Sequence, residues 1–337
     1  MAKPVRWLRA IAAYGGTTSG APNFAYDLCV QKIREEQIDG LDLRSWQLAF
    51  NGAEPVRSDT MARFAARFGR AGFRASAFYP CYGMAEATLF VSGAAGDAAP
   101  ARPFARAALA AGMAQPLSAA DSAGGVQLIG CGSAWGGQQI RIVDPHSVRE
   151  CRPGAIGEIW VAGASVADRY WRQDAHSEGG FGARLAGIDA DFLRTGDLGF
   201  VLDGQLYVTG RIKEVIIVKG RNHYPQDIEA SASGSHAAFR ANACAAFSVP
   251  GASGETLVVL QELERRYRCA DTDAMRTAIR ASVARVHGLE ASDIVLLDQT
   301  SLPRTSSGKI RRAECRSRYL AGQFTPAPAL VSDLIAT

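Results

Sequence analysis

Hydrophobic positions in the first 90 residues follow two alternating periods. Ala25, Leu28, Cys29 and Ile33 recur three or four apart, the spacing of one helix face, and Asn23 stands where it can cap the start of that helix. Met61, Phe64, Ala65 and Phe68 repeat the spacing after Ser58, with Gly72 placed to end the element. Between them, Trp46 to Phe50 is a short apolar run closed by Asn51-Gly52, a strand followed by a turn. A second run, Phe78 to Tyr82, closes at Gly83. Strand–helix alternation of this kind predicts a parallel α/β sheet.

The pattern then changes. Residues 94–124 are rich in Ala, Gly and Pro and read as an inserted loop with a short helix. From residue 126 the runs are short and strand-like: Ile140 and Ile142 between polar neighbours, Ile156 to Val161, Gln205 to Thr209, and Val215 to Val218. These predict a β-rich subdomain. After about residue 211 a small α/β unit is expected. Pro225 opens a helix with Asp227 and Glu229 in its first turn, and a second helix over 272–287 carries Met275, Ala278, Ile279, Val283 and Val286 before Gly288. Strands are expected at Cys244 to Val249, Leu257 to Leu263 and Ile294 to Leu297, with a loose tail from Thr325 to Thr337.

Composition narrows the classes. Hydrophobic residues make up 47% and charged residues 21%, ordinary for a folded soluble protein. The formal net charge is +4, from 37 basic and 33 acidic residues, which argues against a nucleic-acid partner. The densest basic group, Lys309, Arg311, Arg312, Arg316 and Arg318, reads as a solvated helix face. Seven scattered cysteines without a C-x-x-C pair predict neither a disulfide framework nor a zinc site. No run approaches the roughly 20 apolar residues of a membrane span, and the expectation is a soluble, cytoplasmic protein.

Four segments carry candidate chemistry. The first joins Asn51-Gly52-Ala53-Glu54-Pro55 with Tyr79 to Glu86, both at expected strand ends, where open α/β sheets bind ligands. Small residues there let a flat base approach the backbone, Tyr82 is able to stack on it, and Glu86 to hold Mg²⁺ beside phosphates. Two ordinary strand–turn–helix corners would look the same. The second is Arg194-Thr195-Gly196-Asp197, where a carboxylate after a Thr-Gly turn suits two ribose hydroxyls; an aspartate bonded to its own turn is the bland alternative.

The third runs from Gly210-Arg211-Ile212-Lys213-Glu214 to Glu229. Arg211 has the fork for ribose or phosphate oxygens, against the alternative of a surface ion pair. The fourth, Leu302 to Lys309, places a lysine on a Pro/Ser/Gly loop expected to be mobile, where it can meet charge developing on phosphorus or simply lie in solvent. Tyr14 to Pro22 imitates a phosphate loop, yet Asn23 stands where a lysine is needed, and the segment suits a helix entry better.

These segments, in this order, resemble the adenylate-forming superfamily. Pro22 to Cys29, Phe50 to Val56, Phe78 to Leu89 (FYPCYGMAEATL) and Gly220 to Glu229 (GRNHYPQDIE) resemble fatty acyl-AMP ligases more narrowly, over Pro4 to Gly322. The resemblance implies an α/β fold: 1–210 the C-terminal part of the large AMP-binding domain (an α/β sheet plus the β-rich subdomain, with 94–124 the family-type insertion), 211–322 a small α+β lid domain, and 323–337 a flexible tail. It implies ATP or AMP contacts at Gly52, Ala53, Glu54, Tyr82, Gly83, Asp197 and Arg211, a Mg²⁺-associated Glu86, a hinge at Lys213 and a catalytic Lys309. Glu214 stands where an aspartate is expected.

The implied activity is ATP-dependent activation of a fatty acid to acyl-AMP for a separate acyl carrier protein, with ATP and Mg²⁺ as cofactors. The family's Ser/Thr/Gly-rich loop, whose lysine holds the β- and γ-phosphates, has no counterpart here. The expectation is therefore a C-terminal portion inactive alone, needing a further polypeptide for the N-terminal part and presenting an apolar face on its large domain. The alternatives are a truncated, non-catalytic remnant that binds AMP or a carrier protein, and an acyl-CoA ligase.

Overall fold

The first helix, α1 (Val5–Tyr14), buries Val5, Leu8 and Ile11 along one stripe and stops where Gly15 turns left-handed at φ 60°. In this computed structural model residues 3–94, 101–118, 120–122, 124–172, 180–251, 254–267, 271–305 and 308–327 are described. The chain divides into two units, Met1–Ile212 and Lys213–Thr337.

The first unit continues with β1 (Thr18–Gly20), α2 (Asn23–Lys32), α3 (Glu35–Ile38), β2 (Leu48–Asn51), α4 (Ser58–Phe68), β3 (Phe78–Tyr82) and β4 (Ser92–Gly93). Then come β5 (Ala101–Phe104), α5 (Arg106–Ala110), β6 (Val126–Ile129), β7 (Ser133–Ala134), β8 (Gln139–Val143), β9 (Gly157–Ala162), β10 (Ala183–Leu185), β11 (Ile188–Leu202) and β12 (Gln205–Arg211). One sheet runs in the order β1-β2-β3-β4-β7. It is parallel only across β1, β2 and β3; β4 and β7 pair antiparallel, so the expected parallel sheet is a mixed one.

On one face of this sheet Trp46, Tyr26, Phe64, Phe68, Phe73 and Phe78 are all buried. Their rings meet mostly edge to face, Trp46 with Phe73 at 5.1 Å and Phe64 with Tyr26 at 5.0 Å. Each such contact adds about 0.5–1.5 kcal/mol beyond the area buried. Alternation sends Phe50 and its cross-strand partner Tyr79 to the other face. From there the aromatic row continues through Phe90 to Trp135, with ring separations of 6.1 and 6.0 Å.

Three local expectations need correction in this unit. Asn23 is not the cap of α2; Pro22 occupies that place, and the Asn23 amide is buried and bonded to other segments. The segment from Tyr14 to Pro22 contains strand β1, because residues 18–20 pair in parallel with 48–50. The Ala/Gly/Pro-rich stretch is more than a loop with a helix: β5 pairs with β6, and Phe104, Leu109 and Val126 bury themselves against Phe200 and Tyr207. Parts of 94–124 (residues 95–100, 119 and 123) lie outside the described residues.

The antiparallel second sheet has the order β10-β11-β9-β8, with β12 on the other side of β11. Its longest strand, β11, spans 15 residues and contains Arg194-Thr195-Gly196-Asp197. That segment is therefore no turn. Between the pairs Arg194↔Trp160 and Leu198↔Glu158, β11 has three residues where β9 has only Ile159. Gly196, at φ 70°, lets the surplus bulge out without ending the strand.

The second unit comprises β13 (Ile216–Val218), β14 (Arg221–His223), α6 (Pro225–Ser233), β15 (Phe239–Gly251), β16 (Gly254–Leu263), α7 (Thr272–His287), β17 (Ala291–Leu297) and α8 (Arg312–Leu320). β16 and β17 are parallel, with α7 as the crossover between them, and β15 is antiparallel to β16. The Asp271 side chain accepts from the amides of Asp273 and Ala274 at 3.0 Å each, a cap that contributes about 0.5–2 kcal/mol. Gly288 closes the helix at φ 65°. Ala327 is buried and donates its amide to Leu296, so the start of the expected tail is docked; residues 328–337 lie outside the described residues.

The basic group near the C-terminus is only partly a solvated face: Arg311 and Arg318 are exposed, but Arg312 and Arg316 are tied into the fold. Arg312 reaches Glu229 through Nε and Nη2 at 2.6 and 2.7 Å and Glu214 through Nη1 at 2.8 Å, and Arg316 donates to the Ser248 carbonyl. Among the described residues no helix is long and apolar enough to cross a membrane.

Candidate functional site

In the first unit the parallel strands β2 and β3 end side by side, with Asn51 opposite Pro80. The two segments that follow them, 51–55 and 82–86, therefore share the carboxyl edge of the sheet, the usual ligand edge of open α/β sheets. Close approach is built into the backbone there. A Cβ on Gly52 would lie 2.7 Å from the Cys81 carbonyl and 2.8 Å from its sulfur, and one on Gly83 would lie 1.7 Å from the Leu89 carbonyl. Ala53 is exposed with φ 66°, a left-handed conformation that an L-residue keeps only when its surroundings enforce it.

An amide network supplies that enforcement. Asn51 donates to the Asn23 side-chain oxygen at 3.0 Å, and the same oxygen accepts from the Arg57 amide. Asn23 in turn donates to the Pro55 carbonyl at 2.9 Å. Glu54 accepts from the Phe24 amide in the first turn of α2, 3.2 Å away, where the helix dipole favours a carboxylate. The Glu54 side chain thus ties the loop to the helix, and Ala53 beside it is the exposed part of the edge.

Tyr82 is buried among Ala87, Val91 and Ile159. Its hydroxyl donates to Asp197 Oδ2 at 2.9 Å. Arg211 donates through Nε to Asp197 Oδ1 at 2.7 Å. Asp197 and Arg211 are direct partners across the β11–β12 pairing, which is why both side chains emerge on one face. The acid is nearly buried while the guanidinium is mostly exposed. Burial raises the Asp197 carboxyl above the usual aspartate range, opposed by Arg211 and by the Tyr82 hydrogen bond.

Glu86 lies in a short 3-10 turn, Ala85–Ala87. Its carboxylate accepts from the Tyr170 hydroxyl at 2.8 Å, and its carbonyl from the Ala167 amide at 2.9 Å. Among the described residues no three His, Cys, Asp or Glu side chains gather as a metal cage. A lone half-buried carboxylate with one oxygen already oriented fits Mg²⁺ that arrives with phosphates, because this ion keeps most of its ligands as water and phosphate oxygen.

The structure thus brings Gly52, Ala53, Glu54, Tyr82, Gly83, Glu86, Asp197 and Arg211 to one edge of the first unit. Lys213 and Lys309 belong to the second unit. Lys213 is exposed, in the 3-10 turn Ile212–Glu214 at which the units divide. In the loop around Lys309, expected to be mobile, the described flanks are hydrogen-bonded. Arg304 donates to the carbonyls of Gly308 and Asn242 at 3.0 and 2.9 Å, and Thr305 and Lys309 exchange bonds at 2.8 and 3.1 Å. Ser306 and Ser307 lie outside the described residues.

A family profile described as AMP-binding enzyme matches residues 1–171 of the chain. The chain belongs to the AMP-binding enzyme family. A second profile, the AMP domain of Disco-interacting protein 2-like proteins, matches residues 213–327. The chain is 44% identical over 324 residues to the medium-chain-fatty-acid–[acyl-carrier-protein] ligase JamA of Moorena producens, covering 95% of this chain and 55% of the relative. Against the corresponding ligase TtuA of Teredinibacter turnerae it is 40% identical, covering 99% and 53%.

Among solved structures, one of the fatty acyl-adenylate ligases of E. coli and L. pneumophila superposes with a TM-score of 0.81 at 32% identity, over 95% of this chain and 56% of that one. An L. pneumophila fatty acyl-adenylate ligase in complex with acyl adenylate and pyrophosphate superposes at 0.62 with 42% identity, over 96% and 56%. The fold is thus that of the adenylate-forming enzymes, and the chain spans about half the length of the curated relatives it matches.

Sequence reasoning missed the residues beneath this edge: Glu158, Trp160, Arg194, Tyr170 and the Asn23–Asn51 amide pair. One signal was available. Glu158 is an acid inside the apolar run from Ile156 to Val161, and a charge in a buried strand requires partners.

Proposed function

We propose that this chain carries the adenylate-gripping edge and the lysine of a fatty acyl-AMP ligase. The observation that supports this reading best is the Tyr82–Asp197–Arg211 group beside the glycine-lined ends of β2 and β3. Asp197 accepts the ribose hydroxyls, Arg211 adds donors next to them, and the backbone at Gly52, Ala53 and Gly83 lies against the adenine. A carboxylate oxygen of the fatty acid bonds to the α-phosphorus of ATP while the α–β phosphoanhydride breaks and pyrophosphate leaves. Lys309 meets the negative charge that develops there, and Lys213 serves as the hinge. Glu86 would hold Mg²⁺, which would supply charge neutralisation to the phosphates. The acyl group then passes to an acyl carrier protein and AMP is released.

The fatty substrate is supported by the names of the relatives and by the aromatic row Phe50, Tyr79, Phe90 and Trp135, a face suited to an alkyl chain. The test is fatty-acid-dependent ATP–pyrophosphate exchange by this chain joined to the N-terminal part of a relative, with the Lys309→Ala variant alongside. Exchange that falls by about 10²–10³ in the variant is expected. Exchange indifferent to Lys309, or to fatty acid, refutes the ligase reading. AMP binding without exchange by the joined protein supports the binding-only alternative, and thioester formation on free CoA supports an acyl-CoA ligase.

A further inference from the structure

Asp197 is held at two levels. Tyr82 and Arg211 occupy its carboxylate oxygens, and pairing with Arg211 holds its main chain on the β12 side but leaves the side facing β9 to other groups. That main chain is the bulge of β11, in which residues 195–197 face the single residue Ile159. An unsupported bulge leaves backbone groups unpaired and is free to relax into regular pairing, which would carry Asp197 away from its position.

Glu158 prevents this. It is 2% exposed, on β9. One carboxylate oxygen, Oε1, accepts from the amide of Gly196 inside the bulge, 3.1 Å away. The other, Oε2, accepts from Arg194 Nε at 3.0 Å, Arg194 Nη2 at 2.9 Å and Trp160 Nε1 at 3.0 Å. The Arg194 guanidinium also lies over the Trp160 ring, 5.4 Å from its centroid. Thr195 completes the staple: its hydroxyl donates to the Ile159 carbonyl at 2.6 Å and accepts from the Asp197 amide at 3.1 Å. A buried carboxylate is tolerated only when paired and hydrogen-bonded, and every partner of Glu158 belongs to this assembly.

We propose that Glu158 is a positioning residue for nucleotide binding: it never touches the ligand, but fixes the β11 bulge so that the Asp197 carboxylate meets the ribose hydroxyls. The inference rests on the ribose reading of Asp197, and the test separates the two. Calorimetry on this chain compares Glu158→Gln, Thr195→Val and Asp197→Ala with the unaltered protein, using AMP and 2′,3′-dideoxy-AMP as probes. Glutamine keeps the volume of Glu158 but loses its charge and one acceptor.

If Glu158 acts through Asp197, Glu158→Gln weakens AMP about tenfold or more, as expected for bonds to a charged group. The dideoxy probe, which has no hydroxyls for Asp197 to read, stays within about twofold. Asp197→Ala shows the same selectivity. Equal losses for both probes in Glu158→Gln give Glu158 a merely structural role and overturn the proposal. Undiminished AMP affinity in that variant overturns it as well. Undiminished AMP affinity in Asp197→Ala refutes the ribose reading itself. Should Glu158→Gln fail to fold, Thr195→Val carries the same expectation, since it removes the other staple of the bulge and leaves the buried charge paired.

Discussion

Tyr82 and Asp197 stand 115 positions apart in the chain, yet the tyrosine hydroxyl and the carboxylate meet at 2.9 Å in a buried setting. Burial, then the Asp197 charge, pushes the tyrosine far above its ordinary titration range, so the hydroxyl remains a donor throughout the neutral range. Tyr82→Phe removes that donor and leaves a buried carboxylate oxygen short of a partner. The expected cost is about 1–3 kcal/mol of stability, read as a lowered Tm, together with weaker AMP binding. A variant with full stability and full affinity would show that the bond orients nothing.

The same carboxylate predicts a pH dependence in which binding and stability move oppositely. Burial is the largest influence on Asp197 and raises its carboxyl above the 3.8 of an unperturbed aspartate. Ribose hydroxyls donate to the ionised form, so AMP affinity falls as pH drops through the raised pKa, at a higher pH than for a free aspartate. For stability the sign reverses. The folded protein holds the proton more tightly than the unfolded chain, so Asp197 lowers stability as pH rises from 3.8 through the raised value. Titrating the AMP Kd and the Tm together checks both signs, and Asp197→Asn should flatten the Asp197 part of each. An AMP affinity that rises on acidification contradicts the assignment.

Elements closed by their own chemistry were legible in the sequence. The apolar stripe from Met275 to Val283 ends at Gly288, and the run Phe78 to Tyr82 ends at Gly83; each is a strand or helix with a visible stop. Strand β11 was not legible, because Gly196 inside Arg-Thr-Gly-Asp looks like a turn unless the strand facing it is known. Distance in sequence hid the supports. Glu158 lies 38 positions from Gly196, and Asn23 lies 28 from Asn51. A side chain that bonds so far away leaves no periodicity to read. Asp197 and Arg211 stood out as residue types suited to a ribose, whereas only the β11–β12 register shows that they face each other.

Gly52 tests the close approach of β2 to β3. An added Cβ would sit 2.7 Å from the Cys81 carbonyl, which belongs to the neighbouring strand and has no rotamer by which to retreat. Gly52→Ala is therefore expected to spread the strand ends, cost about 1–3 kcal/mol and weaken AMP. Cys81→Ala in the same chain removes the sulfur, 2.8 Å from that Cβ, but leaves the carbonyl, so it restores only part of the loss. Complete rescue would assign the conflict to the thiol, and no loss in Gly52→Ala would show that the strand ends have room to spare.

Arg312 distinguishes a structural ion network from a solvated basic face in the second unit. Its guanidinium makes a two-pronged bond to Glu229, whose side chain is 6% exposed, and a third bond to Glu214 beside Lys213. Glu229 also accepts from the Ala246 amide on β15, so the network joins α8, α6 and the sheet. Both carboxylates drive the Arg312 pKa upward against the opposing effect of burial. Arg312→Ala leaves Glu229 buried with only the amide, and a broken buried pair costs about 3–5 kcal/mol. Arg318, paired with Glu314 one helical turn away and 45% exposed, is the control, with an expected change within about 0.5 kcal/mol. Calorimetric unfolding of the two variants reads the difference directly. Comparable small losses would return the cluster to a solvated face, whereas a large loss confined to Arg312→Ala makes it the electrostatic centre of the unit that carries Lys309.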